Sequence, residues 1–486
     1  MSVSMTSTTT ISDARPVGPD GNSTLASASD NLKWPLRLWG TLIALCIVLF
    51  LDGLDVSMVG VALPSIGTEL NLTTSTLQWL ISGYVLGYGG LLLLGGRTAD
   101  LLGRRRVFLI ALAVFAVASL LGGVVDDGPL LIATRFIKGL SAAFTAPTGL
   151  SIITTTFAQG KARNKALSIY TVFGASGFSF GLVFGGLMTG IGWRWTFLLP
   201  VPIAIIALVM GYFLIPKDTT KAEGGHDIVG AILSTAGMLL LVYTVVSAPQ
   251  AGWASARTLG SFVLVVVLFA SFIAVEKRVA HPLVRLGILR NGTLVRANLA
   301  IVGLFGSFAS FQFIVTLYFQ DTLGWSPLHM ALALLPTGLL VAFSAPFAGS
   351  VIDRVGTPRL IIAGLAAMTL GYVLFLRVDT HPIYALAIMP TALLLGVGFA
   401  LAFPAINVQA TNGIEDEEQG LAAGLVQSSA QVGAALVLAV TTAIISAHGT
   451  GTGSAADMLA SYKPGLIFVT CVALAGLLVT LVRKRA

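Results

Sequence analysis

Two aspartates, Asp52 and Asp55, lie in a segment whose other residues are almost all apolar. The segment runs from about Leu38 to Leu63 and has the length of a membrane-spanning helix. A carboxylate in hydrocarbon costs roughly 3 kcal/mol, so such acids face protein or a wet cavity and mark functional sites. Because they are three residues apart, the two aspartates share one helix face. An acid held there can bind and release a proton, and we predict Asp55 as the main proton carrier, with Asp52 as a second candidate.

Composition predicts a polytopic helical membrane protein around these acids. Of the 486 residues, 56% are hydrophobic and 10% are charged, and mean hydropathy is +0.91. Long apolar runs favour transmembrane helices over the alternating strands of a barrel, and we count fourteen spans, from Leu38–Leu63 to Leu466–Val482. Cys46 and Cys471 both lie in apolar runs, so we predict no disulfide and no metal site. The chain shows no nucleophile triad or phosphate loop, so we expect neither an enzyme nor a cofactor.

Basic residues are unevenly divided between the loops. An even number of spans places both termini on one side. If that side is the cytoplasm, 22 of the 28 Lys and Arg residues lie in cytoplasmic segments and only Arg194, Arg257, Arg377 and Lys463 in outer loops. This bias predicts cytoplasmic termini in the cell membrane. The net charge of +7 therefore orients the chain and does not imply a nucleic-acid partner.

One loop pattern occurs twice. Gly96–Arg106 follows the second predicted span, Gly349–Arg359 follows the tenth, and both read G-x-x-x-D-x-x-G-x-x-R. Repeats at matching places indicate a duplicated six-helix bundle, with two extra helices between the copies. The predicted order is a disordered cytoplasmic tail (1–35), the N-terminal bundle (36–216), two linker transmembrane helices (217–280), a cytoplasmic loop (281–296) and the C-terminal bundle (297–486).

The motifs in this order resemble the major facilitator superfamily, and within it the fourteen-helix branch of drug:proton antiporters. The family's first-helix motif, L-D-x-T-x-V-x-x-A-L-P, matches Leu54–Pro64 with Ser57 in place of Thr. Its fourth-helix motif matches Arg135–Gly139, with Lys138 where the family commonly has Gln. The resemblance covers the chain from about Leu38 to Val482.

The fifth-helix antiporter motif of that branch, G-x-x-x-G-P-x-x-G-G, is present with Leu182 in place of Pro. Its glycines permit close helix contact; they are Gly177, Gly181, Gly185 and Gly186. The resemblance implies an alternating-access antiporter, which exchanges protons for hydrophobic small molecules in multidrug or antibiotic efflux. We expect a monomer in contact with membrane lipid. The alternatives are an exporter or flippase of a lipid or endogenous metabolite, and a non-transporting receptor or scaffold.

The predicted proton-coupling residues form two charge pairs. At about 1.5 Å per residue, Asp55 and Arg135 lie at similar membrane depths, as do Asp52 and Lys138. A cation beside a buried acid shifts its proton affinity, so movement between them would couple protons to transport. The alternative is a permanent salt bridge that joins two helices. The predicted spans of the C-terminal half contain no acid, so we expect the coupling acid in the N-terminal half.

Two further sites are predicted. The resemblance implies a conformational latch in which the first loop motif binds acids of a later cytoplasmic loop; the alternative is a topology signal beside a solvated loop. Its residues are Gly96, Asp100, Gly103, Arg104, Arg105, Glu415 and Glu418. Phe305, Phe308 and Gln312 recur at helical spacing along the ninth span and predict a substrate cavity, with helix packing as the alternative. Tyr84, Gln427 and Gln431 are its other predicted members.

Overall fold

A computed structural model describes residues 34–158, 161–217, 227–279, 282, 284–414, 419–448 and 454–481. Within these residues the chain forms fourteen long helical segments, α1 to α14. They are Leu36–Leu70, Thr74–Leu102, Arg104–Val124, Gly128–Thr156, Lys161–Ile191, Trp195–Leu214, Ile228–Ala251, Ala256–Glu276, Gly292–Thr322, Pro327–Val355, Thr357–Phe375, Tyr384–Thr411, Gln419–His448 and Ala455–Leu481. Two of them contain a π-helical turn, at Tyr318–Thr322 and Tyr384–Ile388.

Within the part of the chain that the structure describes, twelve of these helices are long and apolar enough to cross a membrane. The remaining two are α2, with 29 residues, and α7, with 24. Helices also extend beyond the predicted apolar spans at their polar ends. The extensions bring Asp321, Asp353 and Asp457 into α9, α10 and α14, so the C-terminal helices do carry acids, although only near their ends.

Short polar residues set several helix starts. Thr73, Asp127, Ser255 and Ser326 each accept a hydrogen bond from the backbone N–H three residues on, at 3.0–3.3 Å. These bonds satisfy donors that the first helical turn leaves without partners. Asn71 ends α1 in the left-handed region, with φ 52°. The long apolar helices are thereby separated by tight connections.

Helix packing repeats along the chain. In the first half α1 packs on α5 and α6, α4 packs on α2 and α3, and α3 packs on α6. The same pairs recur eight helices later among α9 to α14. The two sets meet where α5 packs on α10 and where α13 packs on α2, which is also a symmetric pair of contacts. A duplicated unit produces this arrangement.

The helices α7 and α8 have no counterpart in this repeat. They pack against each other, and α7 also packs on α2 and α13. The Thr235 hydroxyl of α7 donates to the Gly90 carbonyl of α2 over 3.1 Å. The extra pair therefore lies beside the seam between α2 and α13.

The repeated loop motif has one backbone conformation in both copies. Gly103 and Gly356 have φ values of 98° and 85°, in a region of backbone conformation that residues other than glycine rarely adopt. Each glycine joins two helices: its N–H bonds to the carbonyl four residues back, in Ala99 and Ile352. The sequence repeat is thus a structural repeat of the turns α2–α3 and α10–α11.

Candidate functional site

Asp55 is fully buried and holds two cations. Arg135 Nη1 donates to its Oδ2, and Lys138 Nζ donates to its Oδ1. Both cations are themselves buried, so the cluster lies inside the first six helices and out of reach of water. In a medium of low dielectric these interactions are far stronger than at a surface. The predicted Asp55–Arg135 pair is present.

The surrounding helices hold the two cations in place. Arg135 Nε donates to the Leu80 carbonyl of α2 over 2.9 Å, and the guanidinium lies 4.7 Å from the centre of the Tyr84 ring. Lys138 Nζ lies 4.7 Å from the centre of the Phe115 ring of α3. These contacts replace water around buried charge. Tyr84, which we predicted in a substrate cavity, lies buried beneath Arg135.

The predicted pair between Asp52 and Lys138 is absent. Side chains lean toward the N-terminus of their own helix, and α1 and α4 cross the bundle in opposite directions. Lys138 therefore leans toward Asp55, whereas Asp52 leans away from it. Asp52 is 8% exposed, and its Oδ2 has no hydrogen-bond partner among the described residues.

Asp52 borders a narrow crevice between α1, α3 and α4. Leu112 and Phe115 form its apolar wall, and Ser141 and Thr145 line the side toward α4. The crevice leaves no space for a water molecule. Asp52 thus remains near the charge cluster, but it is enclosed by protein and outside the cluster's hydrogen bonds.

The glycines of the antiporter motif bring α5 against α1. A Cβ built on Gly177 would lie 2.3 Å from the Phe50 carbonyl oxygen, and one on Gly181 would lie 2.0 Å from Ser57 Oγ. Gly185 approaches Met58 in the same way. The motif therefore packs directly on the helix that carries Asp55. Leu182, which replaces the motif's proline, is buried, and α5 runs unbroken from Lys161 to Ile191.

The fourth glycine of the motif, Gly186, belongs to the seam between the two halves. A Cβ there would lie 2.7 Å from the Leu328 Cα of α10. Near the same end of the molecule, Gln320 Nε2 of α9 donates to the Val61 carbonyl of α1 over 2.8 Å. Sequence inspection missed Gln320, because a single glutamine near a helix end has no local signal.

Phe305 and Phe308 belong to an aromatic cluster that joins both halves. Phe308 lies 5.7 Å from Phe178 of α5 and 5.2 Å from Phe399 of α12, measured between ring centres. Phe403, one turn beyond Phe399, lies 5.6 Å from Phe305. We did not predict Phe178, Phe399 or Phe403, although the spacing of the last two gave a signal.

The predicted glutamines lie on two helices. Gln312 Nε2, one turn beyond Phe308 on α9, has no hydrogen-bond partner among the described residues. Gln431 of α13 faces α2, since a Cβ on Gly89 would lie 2.7 Å from its Cβ. Gln427 is half-buried one turn earlier.

The predicted latch lies only partly within the described residues. Glu415, Glu418 and the side chain of Asp100 lie outside them. Gly96 lies within α2, whereas Gly103 forms the turn after it. Arg105 donates to the Tyr212 carbonyl of α6 and lies over its ring, at 5.3 Å from the ring centre. Arg104 lies in the first turn of α3.

A comparison with protein families identifies the family to which this chain belongs. The family model described as Major Facilitator Superfamily matches residues 45–438 and 297–485. The chain belongs to the major facilitator superfamily. It is therefore a multi-pass membrane transporter and not an enzyme.

Several curated relatives are resistance proteins by name. The chain is 34% identical over 463 residues to the puromycin resistance protein pur8 of Streptomyces alboniger, which covers 90% of each chain. It is 32% identical over 426 residues to the lincomycin resistance protein of Streptomyces lincolnensis, covering 86% of each. The tetracenomycin C resistance and export protein of Streptomyces glaucescens is 32% identical over 410 residues, covering 83% of this chain and 75% of that one.

Solved structures share the fold at low sequence identity. The xylose transporter XylE of E. coli, in a partially occluded inward-open conformation, matches with a TM-score of 0.62 and 15% identity over 91% of this chain and 96% of that one. The nucleoside transporter NupG matches with a TM-score of 0.62 and 13% identity over 92% and 100% of the two chains. Two superfamily transporters thus have the same helical architecture.

Proposed function

We propose that this transporter is a proton-coupled antiporter that exports hydrophobic small molecules, antibiotics among them, by alternating access. The observation that carries the proposal is Asp55, fully buried between Arg135 and Lys138. A carboxylate so placed changes the charge of a water-free site when it binds a proton. The names of the relatives, which are resistance and export proteins for puromycin, lincomycin and tetracenomycin, support export of small molecules.

Protonation of Asp55 has a direct structural consequence in this arrangement. It removes the negative partner of two buried cations, and uncompensated buried charge is unfavourable. Relief comes from a shift of α1 and α4, from entry of water, or from a new partner for one of the cations. Because α5 packs on α1 through Gly177 and Gly181, and α5 also packs on α10 of the other half, such a shift reaches the seam. Proton binding thereby biases one arrangement of the halves over the other.

The proposed topology has fourteen spans, two six-helix bundles (36–216 and 297–486) and cytoplasmic termini in the cell membrane. The repeated packing of α1–α6 in α9–α14 supports the two bundles. The lengths of α2 and α7 support adding them to the twelve candidate spans. The 22 basic residues on one side support the orientation.

The proposed substrate site is the aromatic cluster at the seam. Phe178 comes from one half, and Phe305, Phe308 and Phe399 come from the other, so movement of the halves changes the distance between these rings. Phenylalanines favour a hydrophobic or aromatic guest, and Gln312 Nε2 offers one hydrogen-bond donor. We also propose that Arg104 and Arg105 hold the cytoplasmic loop around Glu415 and Glu418 when that side is shut.

The proposal is tested with purified protein in liposomes that carry an imposed pH difference across the membrane. Internal pH is recorded while puromycin is added. We expect puromycin to drive proton movement in the wild type, and Asp55→Asn to abolish it with the protein still inserted. Asp321→Asn, near the C-terminal end of α9, serves as a control that retains the response. Undiminished pH-driven transport in Asp55→Asn would remove the proposal. Puromycin flux without proton movement would indicate a facilitator instead.

A further inference from the structure

A second carboxylate, that of Asp52, lies near Lys138, because Ser141, one turn beyond Lys138 on α4, lines the crevice that Asp52 borders. Asp52 lies one turn before Asp55 on the same face of α1, and its environment includes electrostatic interactions with both Asp55 and Lys138. Lys138 is a point charge on a flexible four-carbon chain, with three donors, which suits the exchange of one carboxylate for another. Arg135 is fixed differently, because Leu80 and Tyr84 hold its guanidinium.

The state of Asp52 follows from its surroundings. An ionised carboxylate with an unpartnered oxygen, in a crevice with no space for water, is strongly unfavourable. A proton on Asp52 removes this penalty. The cluster of Asp55, Arg135 and Lys138 then has a net charge of one positive.

Other polar groups around Asp52 come from three helices. Tyr84 and Tyr88 of α2 and Tyr170 of α5 lie within electrostatic range of it. Ser141 and Thr145 of α4 line its crevice, and each hydroxyl donates to a backbone carbonyl, of Ala111 and Ala142 respectively. None of these groups is a cation. Within the described residues, Lys138 is thus the cation that the structure places to compensate an ionised Asp52.

We propose that Lys138 is a switch that pairs alternately with Asp55 and Asp52, so that one of the two aspartates is ionised while the other holds the proton. When Asp55 takes up a proton, Lys138 moves one helix turn and Asp52 releases its proton. One proton enters the cluster, one leaves, and its net charge stays the same. This inference rests on the proposed function, since it describes how protons pass Asp55.

The exchange avoids the costly intermediate of the proposed cycle. With Asp55 protonated and Lys138 fixed, two buried cations would lack a carboxylate. With the switch, only Arg135 loses its partner, and it keeps its bond to the Leu80 carbonyl. The pair Asp52–Lys138 expected from matched membrane depths is then the second state of the same site.

The test is infrared spectroscopy of the purified protein in lipid at neutral pH, which detects protonated carboxyl groups without any transport. We expect wild type to show an absorption band from the protonated carboxyl group of Asp52. Asp52→Asn should remove this band, whereas Glu69→Gln, on the same helix, should leave it unchanged. Asp55→Asn should also remove it, because Lys138 moves to Asp52 and ionises it. In the double variant Asp55→Asn/Lys138→Gln the band should return. A band that persists in Asp55→Asn, or one that Asp52→Asn leaves unchanged, overturns the switch.

A second measurement covers the case in which Asp55→Asn does not assemble. In Asp52→Asn, Lys138 has only Asp55 to pair with and keeps it ionised. We therefore expect the midpoint of the pH profile of puromycin exchange to fall by about one unit. Asp52→Asn/Lys138→Gln should restore it. If Asp52 has a purely structural role, the midpoint of the pH profile stays at the wild-type value in both variants, which overturns the switch. If wild type moves no protons, the proposed antiport is removed, and the infrared spectra alone decide the switch.

Discussion

Gln320 of α9 donates a hydrogen bond to the backbone carbonyl of Val61 on α1, with 2.8 Å between nitrogen and oxygen. The bond joins the two halves of the chain at the outer end of the proposed topology. Val61 lies six residues beyond Asp55, about 9 Å along the same helix. In the proposed orientation, the helix that carries the proton site therefore also carries a contact that holds the outer side closed.

Replacing Gln320 by Leu should weaken this closure. A hydrogen bond contributes about 1 kcal/mol net, so we expect the population open to the outside to rise about fivefold. Leu328 lies at the seam against Gly186, so a cysteine is introduced there by Leu328→Cys. The measurement is the rate at which a membrane-impermeant thiol reagent modifies this cysteine. Both native cysteines are first replaced by alanine.

The control for this change is Thr369→Val on α11. Its hydroxyl bonds only within its own helix, to the Leu365 carbonyl over 2.8 Å. The thiol rate should stay at the wild-type value in this variant. Equal rates in Gln320→Leu and wild type would show that the bond does not hold the outer side closed.

Gly181→Ala should separate α5 from α1. The added Cβ would lie 2.0 Å from Ser57 Oγ and 2.6 Å from the Leu54 carbonyl oxygen, so backbone must move. Overpacking of this kind costs about 1–3 kcal/mol, and it displaces the segment next to Asp55. We expect a lower melting temperature and a large loss of transport, measured on purified protein and in liposomes.

Gly190→Ala in the same helix is the matched control, because nothing lies within 4 Å of its Cβ position. It should leave both stability and transport close to wild type. A Gly181→Ala protein with wild-type melting temperature and transport would contradict the close contact between α1 and α5.

Much of the charge site followed from sequence because its determinants are local. Asp55 and Arg135 are single charges in long apolar runs, and helix rise places them at one depth. Membrane depth paired Lys138 with Asp52, whereas this structure pairs it with Asp55. The choice between the two carboxylates depends on the direction in which side chains lean across two packed helices. Phe178 and Phe399 each contact Phe308 only through tertiary packing, which a single helical stripe does not show.

Helix ends show a different reason for error. Hydropathy placed the last span from Leu466, and Lys463 in a loop, yet α14 begins at Ala455 and includes Lys463. Its first turn is polar, so an apolar window excludes it. The signal was present in capping chemistry: Asp457 accepts from Ser454 N at 2.9 Å, and Ser454 Oγ accepts from Asp457 N at 3.4 Å.

Arg194 should stabilise the outer rim of the first bundle. It donates to Glu69 at the end of α1 and to Asp126 between α3 and α4, and these carboxylates raise the pKa of its guanidinium further. The pairs are largely exposed, so each is worth about 1 kcal/mol or less and is screened by salt. We expect Arg194→Glu to lower the melting temperature by a few degrees at low salt and by less at high salt.

The companion to this variant is Arg194→Glu combined with Glu69→Arg, which restores one opposite-charge pair. It should recover part of the lost stability. Equal melting temperatures for the single and double variants would indicate that the charges do not interact in solution.

Phe308→Ala should impair the export of aromatic compounds more than the replacement of a surface phenylalanine by alanine. Phe308 contacts rings from both halves, Phe178 and Phe399, so its removal opens the cluster where the proposed guest lies. An aromatic pair contributes about 0.5–1.5 kcal/mol beyond the burial of its surface area. Its loss predicts a two- to tenfold rise in the puromycin concentration at half-maximal transport. Phe213→Ala on α6, where the side chain is 71% exposed, is the matched control and should leave that concentration unchanged. If the two variants transport puromycin with equal affinity, the cluster is helix packing and the substrate binds elsewhere.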